Sequence, residues 1–214
     1  MTRITLSLSL AAAAALALAA CGGILPAPAP PPALYHFNAA ADFPPPGRTI
    51  PVQLLVAAPL ADSALDTQRI ALARGPTVLD YYADVAWTDR LGVAIQSRLI
   101  ESLENSHRFA AVGAETGMLR ADALLVTELR HFEAVYDGGG LPSWRIEVAA
   151  KLVQMPDRMV IAVQDFQGQQ AAARNDVPAV VDAADTAWRG VARQIADWCA
   201  STLASVPRQA SGAR

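Results

Sequence analysis

Lysine occurs once in this chain, at Lys151, and cysteine twice, at Cys21 and Cys199. With so little lysine and no cluster of arginines, the sequence offers no basic patch for nucleic acid or for anionic lipid head groups. Histidine is as sparse. His36, His107 and His131 stand far apart, without the spacing that a metal site requires, and read as surface or partly buried side chains. The chain has no G-x-S-x-G elbow and no phosphate-binding loop. Gly138-Gly139-Gly140 lacks the lysine and the following helix of a phosphate cradle, so it reads as a hairpin loop. Asp122, Glu128, Glu133 and Asp137 are the carboxylates nearest to a catalytic pairing, but their strand positions are those of solvated edges. These absences argue against the common hydrolytic and nucleotide-dependent chemistries. The chain is expected to have no catalytic residue, no metal and no soluble cofactor.

Against this background the first cysteine is conspicuous. Arg3 is followed by an uncharged run rich in Ala and Leu, Ile4 to Ala20, which has the layout of a secretory signal. The run is near the lower limit for a membrane-spanning helix and is interrupted by Thr5, Ser7 and Ser9, so a retained anchor is the weaker reading. Leu18-Ala19-Ala20-Cys21 forms a bacterial lipobox, with cleavage between Ala20 and Cys21. The Cys21 thiol would then carry diacylglycerol, and the freed amino group an acyl chain such as palmitate. Cys199 is thereby left without an intramolecular partner. Its place beside Trp198 in an apolar helical pattern reads as a small buried residue.

Removing residues 1–20 takes away Arg3 alone and leaves 16 basic and 20 acidic residues, a net charge of −4. Residues 21–33 follow as a tether. ILPAPAPPPA, residues 24–33, contains five prolines and no charge, a composition that favours extended polyproline II. At about 3.1 Å per residue, the stretch from Cys21 to Leu34 can hold a domain roughly 40 Å from its anchor.

The folded part is expected over residues 34–206, with 207–214 a loose tail. Leu34 to Phe37 reads as a short strand and Ile50 to Pro59 as a buried one. Gln68–Gly75 and Thr77–Asp84 form two strands about a Gly75-Pro76 turn. Thr88 is a candidate N-cap, with Asp89 in the first turn of a helix that ends near Asn105 to His107. Leu91, Ala94, Ile95, Leu99, Ile100 and Leu103 form its apolar stripe. RFAAVGA then reads as a short strand. Ala121–Val135 is a longer one whose alternation gives no clean face, whereas Ile146, Val148, Ala150 and Leu152 alternate cleanly with Glu147 and Lys151. Met159–Phe166 continues in the same way. The connections Asp137–Pro142 and Met155–Arg158 make this half of the sheet antiparallel. Val177–Leu203 is a long helix with a stripe of Ala184, Ala187, Trp188, Val191, Ile195, Trp198 and Leu203. The fold class is α/β, a three-layer-like sandwich in which a mixed β-sheet is packed by two main helices.

Tyr81, Tyr82 and Trp87 gather at a strand-to-helix junction. They serve either as core filling or as a partner-docking patch, with Arg69 and Arg74 flanking the same surface.

In the order LAAC, ALYHF, IPVQLLVAAPLADSALDTQRIALARG, LDYYADVAWTDRLGVAIQSRLIESL, RFAAV and ADALLVTELRHFEA, closed by an amphipathic helix, the chain resembles the ABC-type transport auxiliary lipoprotein component family. That family includes the paraquat-inducible-type outer-membrane lipoproteins. The resemblance covers about Cys21 to Leu203. It implies a non-enzymatic accessory of an ABC transport system with mammalian-cell-entry (MCE) substrate-binding proteins, moving lipid between the inner and outer membranes. It carries over no catalytic residue. The partners implied are an MCE-type protein and ABC transporter subunits, with self-association also open. Gly22 stands where an aspartate would signal inner-membrane retention, so the resemblance places the anchor in the outer membrane. The alternative functions are a periplasmic module that itself holds acyl chains in an apolar cleft and, third, a cell-envelope hydrolase.

Overall fold

The computed structural model describes residues 30–117 and 121–206. The signal segment, Cys21, the tether as far as residue 29 and the tail at 207–214 lie outside the described residues. The sheet is organised about one long strand, β7 (Ala123–Val135). Along one edge β7 pairs antiparallel with β8 (Ser143–Gln154), which pairs antiparallel with β9 (Met159–Ala171). The other edge of β7 is shared, end to end, by three parallel strands: β2 (Ile50–Val56), β3 (Leu60–Ala61) and β4 (Arg69–Ala73). Beyond β2 lies β6 (Phe109–Ala114), in parallel. Beyond β4 come β5 (Leu79–Trp87), antiparallel, and β1 (Ala33–Tyr35), parallel to β5. The sheet is therefore mixed, and its β7–β9 half is antiparallel as the hairpin loops imply.

The helices α1 (Leu91–Asn105) and α2 (Val177–Ser205) contact each other and share one core. That core takes Val52, Leu54 and Val56 from β2 and Trp144, Ile146, Val148, Ala150 and Leu152 from β8. Both helices thus cover one face of the sheet. The opposite face carries a separate small cluster of Leu55, Ala57, Leu124 and Val153, followed along the strands by charged side chains. A sheet of mixed direction packed by two helices is the expected class. The layers, however, are helices and sheet, with a polar sheet face where a third layer would lie.

The blurred alternation of β7 has a local cause. Its pairing with β8 slips between Leu129 and His131. One extra residue reverses the parity of a strand. Before the slip Ala123, Leu125 and Leu129 face the helices; after it Phe132 and Ala134 do.

Several boundaries differ from the sequence reading. The strand expected over Ile50–Pro59 ends at Val56 and resumes as the two-residue β3 beyond Pro59. The second strand of the Gly75 hairpin runs on to Trp87. Thr88 and Asp89 do not start α1, which begins at Leu91 with no cap from its own flank. Instead the Asp66 carboxylate, delivered by the β3–β4 connection, accepts the Gly92 N–H at 3.0 Å and pairs with Arg90. A carboxylate at this place satisfies an orphan donor and complements the helix dipole. Helix α2 caps itself more locally. Asp176 Oδ1 accepts the Ala179 N–H at 2.9 Å. That bond, then the Arg174 side chain, holds the Asp176 carboxyl below its ordinary range.

Close approach of α2 to β9 depends on Gly168. A Cβ there would lie 2.7 Å from Val191 Cγ2 and 3.1 Å from the Ala187 carbonyl oxygen. Gly168→Ala is expected to cost about 1–3 kcal/mol through overpacking. It should be read as a lower urea midpoint with an unchanged slope.

Candidate functional site

The aromatic junction separates into two environments. Trp87 is 1% exposed and packs edge-on against Phe37, Trp144 and Phe132, with ring centroids 5.4, 5.9 and 6.0 Å away. Because β5 continues to this residue, Trp87 sits in register with Tyr35 of β1 and beneath Phe37. Core filling is its role, and it is withdrawn from any docking surface. Tyr81 and Tyr82 are half-buried. The Tyr81 hydroxyl donates to the Ala64 carbonyl at 2.9 Å, and the Arg69 guanidinium lies 3.6 Å from the Tyr81 ring centre, in cation–π geometry. The Tyr136 hydroxyl donates to Asn175 Oδ1 at 2.9 Å, so the Tyr82 hydroxyl donates to Tyr136. Burial, and then this bond, pushes the Tyr82 hydroxyl above its ordinary pKa. Arg74 is paired with Asp80 at 3.6 Å, both well exposed. Of the predicted patch, Arg69 and Arg74 are at the surface, and Tyr81 and Tyr82 are half-buried against the core, with Arg69 covering one face of the Tyr81 ring.

A second constellation lies on the polar face. Glu133, expected at a solvated edge, is 2% exposed. The slip in β7 turns it away from the helices, while its register partner on β8 is Arg145. Glu133 Oε1 accepts from Arg145 Nη2 at 2.6 Å and Nε at 3.1 Å, and Oε2 accepts the Phe132 N–H at 2.7 Å. His131 Nδ1 lies 2.9 Å from both Glu133 Oε1 and Arg145 Nη2. Nδ1 can donate to the carboxylate or accept from the guanidinium, but not both at once. These three residues, with Arg130, line one wall of an open groove of about 220 Å³ whose other wall includes Leu65, Val78 and Leu79. Next along the face, Arg130 lies 3.3 Å from Glu147, 3.4 Å from Asp165 and 3.7 Å from Glu128. The bond to Glu147, then the Asp165 charge, holds its guanidinium more firmly protonated.

The sequence pattern His131-x-Glu133 is compatible with two side chains on one strand face. The cross-strand arginine is visible only once the register is known. Asp122 also does structural work: its carboxylate accepts the Gln53 N–H at 2.8 Å, joining β2 to the start of β7. Among the described residues no group of His, Cys, Asp and Glu is arranged to hold a metal ion. Cys199 is fully buried, and burial pushes its thiol above the ordinary range, as expected of a packing residue. No described helix is long and apolar enough to cross a membrane.

Where a cleft for acyl chains would lie, between sheet and helices, the space is filled by Phe37, Trp87, Phe132, Trp144 and Trp188. The segment after β1 closes it from outside. Asn38 donates to Asp185 of α2 from its backbone N–H at 2.6 Å and its amide at 3.0 Å. The Ala40 N–H donates to Ser102 of α1 at 2.9 Å, and Asn105 donates to the Ala40 carbonyl at 3.0 Å. This strap ties both helices to the part of the chain nearest the tether.

The family model for the ABC-type transport auxiliary lipoprotein component matches residues 35–196. An uncharacterized protein of Bradyrhizobium diazoefficiens is 27% identical over 168 residues, which are 77% of this chain and 44% of that protein. The chain thus spans less than half the length of this relative. A crystal structure from Xanthomonas campestris is similar at 28% identity and a TM-score of 0.74, over 79% of this chain and 95% of that one. A hypothetical protein from Chlamydia trachomatis, at 10% identity and a TM-score of 0.50, covers 73% of this chain and all of its own, and shares the fold alone.

Proposed function

Because the chain belongs to the ABC-type transport auxiliary lipoprotein component family, we propose that it is a non-enzymatic accessory subunit. In this reading it is held on the periplasmic face of the outer membrane by lipid on Cys21 and docks onto an MCE-type protein or an ABC transporter subunit in lipid transport between membranes. The observation that carries the proposal is the family match over residues 35–196, directly downstream of the LAAC lipobox and the proline-rich tether. A lipid chain on the cysteine gives reversible membrane binding, and a second makes it stable. The tether then sets how far the domain reaches toward a partner. Docking through the exposed parts of Tyr81 and Tyr82 is consistent with the large contact area of such side chains. A reading in which the domain itself holds acyl chains gains no support from a helix–sheet space filled by aromatic rings.

In-cell crosslinking of the full-length chain, followed by affinity capture and mass spectrometry, tests the proposal. An MCE-type protein or a transporter subunit is the expected catch with the natural chain. Cys21→Ala should abolish palmitate labelling, release the protein from the membrane fraction and reduce that catch. Repeated capture of neither partner from a well-expressed bait would refute the transport role. Membrane retention of the variant would refute the anchor.

A further inference from the structure

Among the described residues strand β9 is an open edge, hydrogen-bonded to β8 alone. Edge strands normally carry devices that discourage further pairing: lysines, prolines, bulges or inward charges. Over its 13 residues β9 has no lysine, arginine or proline. Its single charge, Asp165, is already engaged by Arg130 at 3.4 Å. The only break in its pairing with β8 falls at Ile161, between Val160 and Ala162, so Ala162–Ala171 runs regularly. Val160 and Val163 nearby are 51% and 60% exposed. Such an edge is a template for another strand.

The residues along it are complementary to themselves in one antiparallel register. We propose that two copies of the chain join through β9, with Gln167 facing Gln167 across a two-fold axis perpendicular to the sheet. The pairs that follow are Phe166 with Gly168, Asp165 with Gln169 and Gln164 with Gln170, each occurring twice. No charge meets a like charge. The Asp165 carboxylate meets an amide donor, and Gln169 has an N–H to spare beside the one it gives Ser143 at 3.1 Å. Phe166 is 2% exposed and packed on Trp198 of its own α2, with ring centroids 5.6 Å apart, and Gly168 is covered by Val191 and Ala187 of the same helix, so this pair is joined through the backbone alone. In-register neighbours share a face, because Phe166 and Gly168 pair with Val148 and Ile146 on the helix side while Gln167 pairs with Glu147 on the polar side. Helix α2 packs on β8 as well as β9. Confinement on one membrane surface raises the effective concentration of the two copies.

Cysteine crosslinking of the full-length chain in cells tests this register. Gln167→Cys places two thiols at one Cα pair, within disulfide reach, and is expected to give about tenfold more oxidised dimer than Gln164→Cys. In the latter the two thiols stand roughly 20 Å apart along the strands. Gln167→Lys sets two ammonium groups against each other at the axis, yet lies opposite Glu147 in its own sheet, so it should fold normally and run as a monomer in native mass spectrometry. Equal crosslinking at positions 164 and 167 overturns the proposal. So does a folded Gln167→Lys chain that remains dimeric, or a natural chain that is monomeric. Recovery of a partner protein's strand at Gln167→Cys in place of a second copy also overturns it.

Discussion

Trp87→Ala is expected to destabilise the domain by about 3–5 kcal/mol, the usual cost of removing a fully buried aromatic side chain. A domain of this size has about 5–15 kcal/mol in total, so the loss is a large share. The magnitude follows from the neighbours of the ring. Trp87 meets Phe37, Phe132 and Trp144, and two of these meet Trp188 of α2 in turn. Removing one member leaves a void that rigid rings fill poorly. Chemical denaturation of the purified variant should show the loss directly. The competing view, in which Trp87 is a docking residue, makes the opposite forecast: unchanged stability with weakened partner capture. With Trp87 1% exposed, only the first outcome agrees with the structure.

The second large effect is expected at Arg145. Arg145→Met leaves the Glu133 carboxylate buried with His131 and the Phe132 N–H as its remaining partners. Breaking a buried ion pair from one side typically costs about 3–5 kcal/mol. Arg145 itself is 44% exposed, which places the expectation at the lower end, about 3 kcal/mol. Adding Glu133→Gln should restore most of the lost stability, because the amide oxygen still accepts the Phe132 N–H and no charge is stranded. A deficit unaffected by the second substitution would mean that Arg145 acts through packing of its side chain alone.

Both predictions concern residues whose placement shows what a linear reading of this chain can supply. Helix α2 was legible almost to the residue, because a 3.6-residue apolar period over more than seven turns has no other solution. Its Asp176 cap lies next to it in sequence. The antiparallel β7–β9 half was legible from its two turn-rich loops and from the clean alternation of β8. Family membership followed from the order of such local blocks.

Tertiary structure decided what depends on register and on contacts between distant segments. The cap on α1 comes from Asp66, 26 residues before the Gly92 N–H it accepts, so the nearby Thr88 was a reasonable expectation that long-range geometry overrode. One extra residue after Leu129 turned Glu133 from a presumed solvated edge into a buried carboxylate, and register with β8 supplied Arg145 as its partner. The same register put Trp87 under Phe37 and made it core. Sequence alone determined the two helices and most of the strands, because those properties are local and periodic. Which side chains end up buried together, and which strand edge is left open, was settled only in three dimensions, because a shift of one residue in a strand exchanges its two faces.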